Sequence, residues 1–217
     1  MKILDLFCGE GGAAVGYTQA GHEVTGVDFV PFMGTRYPYR FFCAEALEFA
    51  DKHGHKYDLI HASPPCQAYS AATRGTDKVY ADLVAPTRDL LHSIGKPYVI
   101  ENVMGAPLID PTLLCWSMFH APMVTISGEL QMERHRIFET NWLLGTPGPC
   151  NHVDGIRVAG AYAGGTTKPG RVRGGYVPNK ATLEQLMDID WMSKLGIHQA
   201  IPPSYTHYIG KRAEEEL

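Results

Sequence analysis

The sequence predicts an α/β protein with a Rossmann-like, mostly parallel sheet, helices on both faces, and a small irregular Gly-rich lobe. Three observations lead there. Over the first hundred residues, short apolar runs alternate with helical periods, the pattern of successive βα units. Each apolar run then ends in a polar or Gly-rich group, and ligands of such sheets bind beyond the carboxyl ends of the strands. Finally, residues 145–178 are dense in Gly and Pro and carry no period.

Taken in order, Ile3 to Phe7 is a strand closed by a Gly-rich turn, and Gly11 to Ala20 reads as a helix. Val24 to Val27 is a second strand ending at Asp28. A turn-prone stretch follows from Pro31 to Pro38, then a helix from Ala44 to Lys52. Tyr57 to Ala62 is a third strand, cut by Pro64-Pro65. Tyr80 to Ile94 carries a helical period through Leu83, Leu90, Leu91 and Ile94, and Pro97 to Glu101 is a fourth strand. Arg136 to Phe138 begins another. Thr182 to Leu195 reads as one helix, with Thr182 and Gln185 as a capping box. The expected division is a catalytic domain of residues 1–140 and 181–217, with 141–180 as a reduced recognition segment.

A chain of 217 residues buries a real core in one domain. No apolar stretch approaches the roughly 18 residues that span a bilayer. The first residues run directly into a strand without a signal-peptide pattern, so a cytoplasmic protein with no membrane partner is expected. Five cysteines, an odd number at scattered spacings, argue for reduced thiols. Cys150 and His152 have no second pair nearby in sequence and read as loop residues, so no metal is expected. The net charge of −4 does not advertise a nucleic-acid binder. Between Arg157 and Lys180, however, the basic residues Lys168, Arg171 and Arg173 join them with no acid among them, as a phosphate-facing surface requires.

Four segments carry chemistry. Asp5-Leu6-Phe7-Cys8-Gly9-Glu10-Gly11-Gly12 is a strand, a glycine turn and a helix start, where backbone amides approach a ligand at the positive end of a helix dipole. With Asp28 ending the next strand, the pair suits a nucleoside-containing cofactor whose ribose the acid holds. Ser63-Pro64-Pro65-Cys66-Gln67 fixes a cysteine just past a strand, where a thiolate is useful; core cysteines sit within strands. Val99-Ile100-Glu101-Asn102-Val103 places a carboxylate at a strand tip, either as a capped surface acid or as a buried proton donor. In Met132-Glu133-Arg134-His135-Arg136, residues at i and i+2 of a strand share a face. Arg134 and Arg136 would then meet an anionic or carbonyl-rich ligand together, or be ordinary edge-strand arginines.

In this order the segments resemble the cytosine-5 DNA methyltransferase family: the glycine loop its first motif, Pro65-Cys66-Gln67 its nucleophile motif, Glu101-Asn102-Val103 its glutamate motif and Arg134-x-Arg136 its arginine motif. Gln199-Ala200-Ile201-Pro202-Pro203 is similar to the closing motif that returns to the cofactor pocket. The resemblance implies a methyltransferase using S-adenosylmethionine on DNA, of restriction-modification or phage type. Cys66 adds to carbon 6 of cytosine, Glu101 protonates ring nitrogen 3, and Arg136 with Arg134 binds the exocyclic oxygen. It places the cofactor against Phe7, Cys8, Gly9, Gly11, Gly12, Asp28, Phe29, Glu45, Pro65, Gln199 and Ala200. It places nucleic acid against Gln67, Ser70, Arg157, Lys168, Arg171 and Arg173. A base within a duplex must be flipped out, at a cost of a few kcal/mol.

Departures qualify the match. Met132 stands where the family has Gln, and Gln199 where it has Asn. About 60 residues separate Arg136 from Gln199, where the family places a larger recognition domain. Cytosine in RNA, single-stranded DNA or a free nucleotide is therefore an alternative substrate. A modified sulfonium cofactor is an alternative donor, and a non-catalytic nucleic-acid-binding module is the alternative from another class.

Overall fold

The computed structural model describes residues 1–69, 80–160 and 176–217; Ser70, Lys168, Arg171 and Arg173 lie outside them. The strands are β1 (Lys2–Leu6), β2 (Glu23–Asp28), β3 (Arg40–Cys43), β4 (Leu59–Ala62), β5 (Tyr98–Asn102), β6 (Thr112–Leu114), β7 (Met123–Thr125), β8 (Gly128–Met132), β9 (Arg136–Thr140) and β10 (Val158–Ala159). The helices are α1 (Gly12–Gln19), α2 (Ala46–His53), α3 (Val84–Ile94), α4 (Lys180–Met187), α5 (Lys194–Gln199) and α6 (Pro203–Glu216). Seven strands form one sheet in the order β3-β2-β1-β4-β5-β9-β6. The first five are parallel, and β9 runs antiparallel to both β5 and β6.

Strand alternation sends neighbouring side chains to opposite faces. Ile3, Val24, Leu59 and Val99 join one cluster with α1 and α6, whereas Leu4, Val27, Ile60 and Ile100 join another with α2 and α3. Both faces are thereby covered, as the continuous apolar strands require. The approach of α1 to α6 depends on missing side chains. A Cβ on Gly16 would stand 2.0 Å from the Pro203 carbonyl oxygen, and one on Gly210 2.9 Å from Ala20 Cβ.

A second, three-stranded sheet in the order β10-β8-β7 packs Leu130 and Met132 against Leu183, Leu186 and Met187 of α4 and against Trp116, whose Nε1 donates to the Leu186 carbonyl at 2.7 Å. This small lobe thus draws on residues around 116–132 and 180–192, beyond the 141–180 expected for it. The helix expected over Thr182–Leu195 is two. Asp188 adopts the left-handed conformation (φ 54°) and ends α4, and Ser193 caps α5 by accepting from Gly196 N. The α4 cap is Asn179, which accepts from Thr182 N, rather than a box built on Thr182 and Gln185. α3 starts at Val84 rather than Tyr80, where Asp82 accepts the Val84 amide at 3.0 Å. β3 and α6 had no counterpart in the sequence reading. Among the described residues no helix is long and apolar enough to cross a membrane.

Candidate active site

β1 and β4 are neighbours whose onward connections lead to opposite sides of the sheet, so a crevice opens beyond their carboxyl ends. The glycine loop leaves β1 and the Ser63–Gln67 loop leaves β4 into this crevice, while β5 brings Glu101 to its rim. The loops are tied together: Ser63 N donates to Leu6 O at 3.2 Å, and Asn102 Nδ2 donates to Pro64 O at 3.0 Å. The second bond fixes the Pro64-Pro65-Cys66 turn against the tip of β5.

Glu101 is 6% exposed, and Arg136 Nε lies 3.0 Å from its Oε1. Burial pushes the Glu101 carboxyl above its ordinary value; the Arg136 charge, a hydrogen bond from Ser63 and the Arg134 charge pull the other way. Half-buried Cys66 sits in the same field. Burial and then Glu101 push its thiol up, while Arg136 and Arg134 oppose them. Cys66, Glu101 and Arg136 thus lie close enough to act on one another's charge at this rim.

Arg134 does not share a strand face with Arg136. β8 ends at Met132 and β9 starts at Arg136, so Arg134 lies in the connection between them. Its buried guanidinium donates to His198 O (3.0 Å) and to Ala200 O from Nε (3.1 Å) and Nη2, and Tyr205 Oη donates to the Arg134 carbonyl oxygen. The expectation of two arginines side by side on a ligand is corrected accordingly. Arg134 fastens the closing segment to the start of β9.

On the other side of the crevice, Phe7 (φ 57°), Gly9 (φ 53°) and Gly11 (φ 93°) take left-handed conformations, turning the chain sharply between β1 and α1. Among the described residues nothing lies within 4 Å of where a Gly9 Cβ would stand, so the loop faces open space there. Asp28 accepts from Gly9 N (3.1 Å) and Val30 N (3.0 Å), one bond on each oxygen. Phe7 is half-buried, Cys8 is buried, and Phe29 stands 67% exposed just past β2. Gly12 differs in kind from Gly9. Its Cβ would meet Ile201 O at 2.6 Å, so its smallness admits the closing segment rather than a ligand. Glu45 caps α2, accepting from Glu48 N at 2.7 Å. Pro65 is half-buried beside Cys66, Gln199 is exposed at the end of α5, and Ala200 is buried beside Gly12.

Several residues escaped the sequence reading. Buried Glu10 accepts from Ser193 N and Ser193 Oγ, both at 2.6 Å, locking the glycine loop to the start of α5. Fully buried His61, held neutral because burial lowers its pKa to about 3, bridges Tyr17 Oη (2.9 Å) and Ser63 Oγ (3.0 Å) behind Glu101. A histidine within an otherwise apolar strand was the available signal. Gln67 is half-buried beside Cys66; Arg157 is exposed on the small lobe, its guanidinium 4.2 Å from the Tyr176 ring centre. Cys150 and His152 are not isolated loop residues: the fold brings Cys115 and His135 against them.

A sheet of seven strands with one antiparallel member, bearing a glycine loop and an acid at the ends of β1 and β2, defines the S-adenosylmethionine-dependent methyltransferase fold. Residues 1–108 match the profile of C-5 cytosine-specific DNA methylases, and that part of the chain belongs to the family. It is 29% identical over 121 residues to the Type II methyltransferase M.AgeI of Thalassovita gelatinovora, a match covering 48% of this chain and 28% of that protein. The chain thus spans under a third of this curated relative. Similar solved structures include a DNMT2 variant of Spodoptera frugiperda (20% identity, 72% of this chain and 54% of that one, TM-score 0.47). Another is Dnmt2 of S. pombe (16% identity, 64% and 48%, TM-score 0.47).

Proposed function

We propose that this chain methylates carbon 5 of cytosine in DNA, with Cys66 as nucleophile. The observation that carries the proposal is Glu101, buried and paired with Arg136 at 3.0 Å, at the strand tip whose Asn102 pins the Cys66 loop. Family membership and the Type II methyltransferase relative support DNA as substrate.

Cys66 as thiolate adds to carbon 6 of the ring. Glu101, whose raised pKa favours the protonated form, gives its proton to nitrogen 3, and Arg136 holds the exocyclic oxygen. Together they leave carbon 5 nucleophilic. After alkylation the carbon 5 proton passes to solvent, the Cys66 thiolate is expelled from carbon 6, and nitrogen 3 returns its proton to Glu101, which restores the ring and the acid. Covalent addition divides a difficult alkylation of an unreactive carbon into easier steps. S-adenosylmethionine, when bound, supplies an electrophilic methyl group. The residues present fit it: open space over Gly9 beside the left-handed turn, and Asp28 oxygens that each retain a lone pair for ribose hydroxyls. Phe7 and Phe29 would flank the adenine, and the second oxygen of Glu45 would meet its amino edge. Cys8, Gly11 and Pro65 would complete the walls, with Gln199 and Ala200 closing from the far side. Gln67, Arg157 and the basic residues beyond 160 would meet the nucleic acid, with the target base flipped from a duplex.

The test is mass spectrometry of nucleosides from DNA incubated with protein and cofactor. 5-Methylcytosine should form with the wild type and vanish with Cys66→Ser; methylation surviving in the variant would refute the nucleophile. The short span between Arg136 and Gln199 favours a second reading, in which the same chemistry acts on single strands or free nucleotides. Higher kcat/KM on a single strand or dCMP than on duplex DNA would select it.

A further inference from the structure

The geometry points to a structural zinc site, unrelated to methyl transfer chemistry, formed by Cys115, His135, Cys150 and His152. Each offers one ligand atom, and the four atoms lie within 4.8 Å of one another. Cys115 Sγ is 3.4 Å from His152 Nε2, and Cys150 Sγ is 3.3 Å from His135 Nε2. The two imidazoles meet edge to face, their centres 5.7 Å apart at 71°. A tetrahedral ion with Zn–S near 2.3 Å and Zn–N near 2.0–2.1 Å separates its ligands by about 3.3–3.8 Å, so the cluster needs only slight adjustment to close on one.

The donor chemistry selects the metal. Two thiols and two imidazoles without a carboxylate suit Zn²⁺ and exclude Mg²⁺ and Ca²⁺, which take oxygen ligands. Two thiolates would cancel the ion's charge, which matters because Cys115 is fully buried. Ser117 Oγ donates to Cys115 Sγ at 3.4 Å and accepts from Asn151 N at 3.1 Å, a supporting contact of the kind that orients metal ligands.

The ligands come from separate places in the chain: the end of β6, the residue before β9, and a Cys-x-His pair in the stretch between β9 and β10. Residues 141–157 hold no helix or strand, and one metal would fasten them to the sheet. His135 stands between Arg134 and Arg136. The same ion therefore anchors the connection that delivers one arginine to the closing segment and the other to Glu101. The spacing Cys115…His135…Cys150-x-His152 is too spread to read as a metal motif in sequence, because the fold supplies the proximity.

Elemental analysis of the wild-type protein, expressed with zinc and desalted, tests this independently of activity. About one zinc per chain is expected, falling at least tenfold in Cys150→Ser and Cys115→Ser and unchanged in Cys43→Ser, whose exposed thiol is elsewhere. Should either variant fail to fold, wild-type protein refolded with Co²⁺ should still show the intense visible bands of tetrahedral cobalt with thiolate charge transfer. Zinc retained in soluble Cys150→Ser, a zinc-free wild type with a featureless cobalt spectrum, or a Cys115–Cys150 disulfide in non-reducing peptide maps would each overturn the proposal.

Discussion

Replacing Arg134 by Met keeps much of the side-chain volume and removes the guanidinium that donates to His198 O and Ala200 O. Hydrogen bonds from a charged donor contribute about 1.5–3 kcal/mol each, but two of these share one carbonyl and do not add fully. Leaving the buried carbonyls of His198 and Ala200 unpartnered should cost about 3–5 kcal/mol in total. With a urea m-value of roughly 2 kcal/mol/M, the midpoint should fall by about 1.5–2.5 M with the slope unchanged. Because Ala200 also packs on Gly12, the folded fraction should bind S-adenosylmethionine more weakly while kcat at saturation changes little. Arg134→Lys, which keeps a donor, should recover part of both. A variant as stable as wild type that loses only kcat would show that Arg134 contacts the base, and the positioning role would be wrong.

Two glycine substitutions separate packing from ligand approach. Gly16→Ala puts a methyl 2.0 Å from Pro203 O and 2.1 Å from Thr206 Oγ1, so thermal unfolding should show a loss of about 3 kcal/mol or more. Gly9→Ala meets no atom but strains a positive φ, and should cost only about 1 kcal/mol of stability while lowering cofactor affinity severely in calorimetry. The proposed mechanism needs Glu101 protonated and Cys66 ionised, and both pKa values are raised. With the thiol above the acid, kcat/KM should rise with pH up to the Glu101 pKa (above 4.5), run flat, and fall beyond the Cys66 pKa (above 9.0). A profile still climbing at high pH would mean that Glu101 donates no proton. Asp5, pushed up from 3.8 to about 8 chiefly by burial, is protonated in the fold. Its raised folded-state pKa makes its contribution complete below pH 3.8 and progressively lost up to pH 8. Asp5→Asn should therefore flatten the decline of stability over that window in pH-resolved urea titrations.

Four of the five parallel strands were legible because they are buried on both faces almost throughout and read as short, largely apolar runs, as Leu59–Ala62 does around its one polar residue, His61. β3 was not, since a four-residue edge strand, Arg-Phe-Phe-Cys, has too little period to separate from a loop. α6 did carry a signal, with Tyr205, Thr206, Ile209, Gly210 and Ala213 buried at helical spacing behind Pro203 at its start, but Thr206, Gly210 and Ala213 are small or polar. Among site residues, Cys66 and Glu101 were readable from strand tips, where chemistry gathers in such sheets. Arg134 was misread because i and i+2 share a face only inside a strand, and β9 begins two residues later. Glu10, His61 and the Cys115–His152 cluster depend on contacts between segments far apart in sequence. Apart from the lone histidine in an otherwise apolar strand, no local pattern announces them.

The central claim is that Cys66 forms a bond to the pyrimidine. Protein mixed with S-adenosylmethionine and an oligonucleotide carrying 5-fluorocytosine cannot lose the carbon 5 substituent and should accumulate as a covalent complex. Peptide mass spectrometry should then place the added mass on Cys66, with no complex in Cys66→Ser. Methyl transfer to ordinary cytosine without any trapped complex, or an adduct on another residue, would contradict the account.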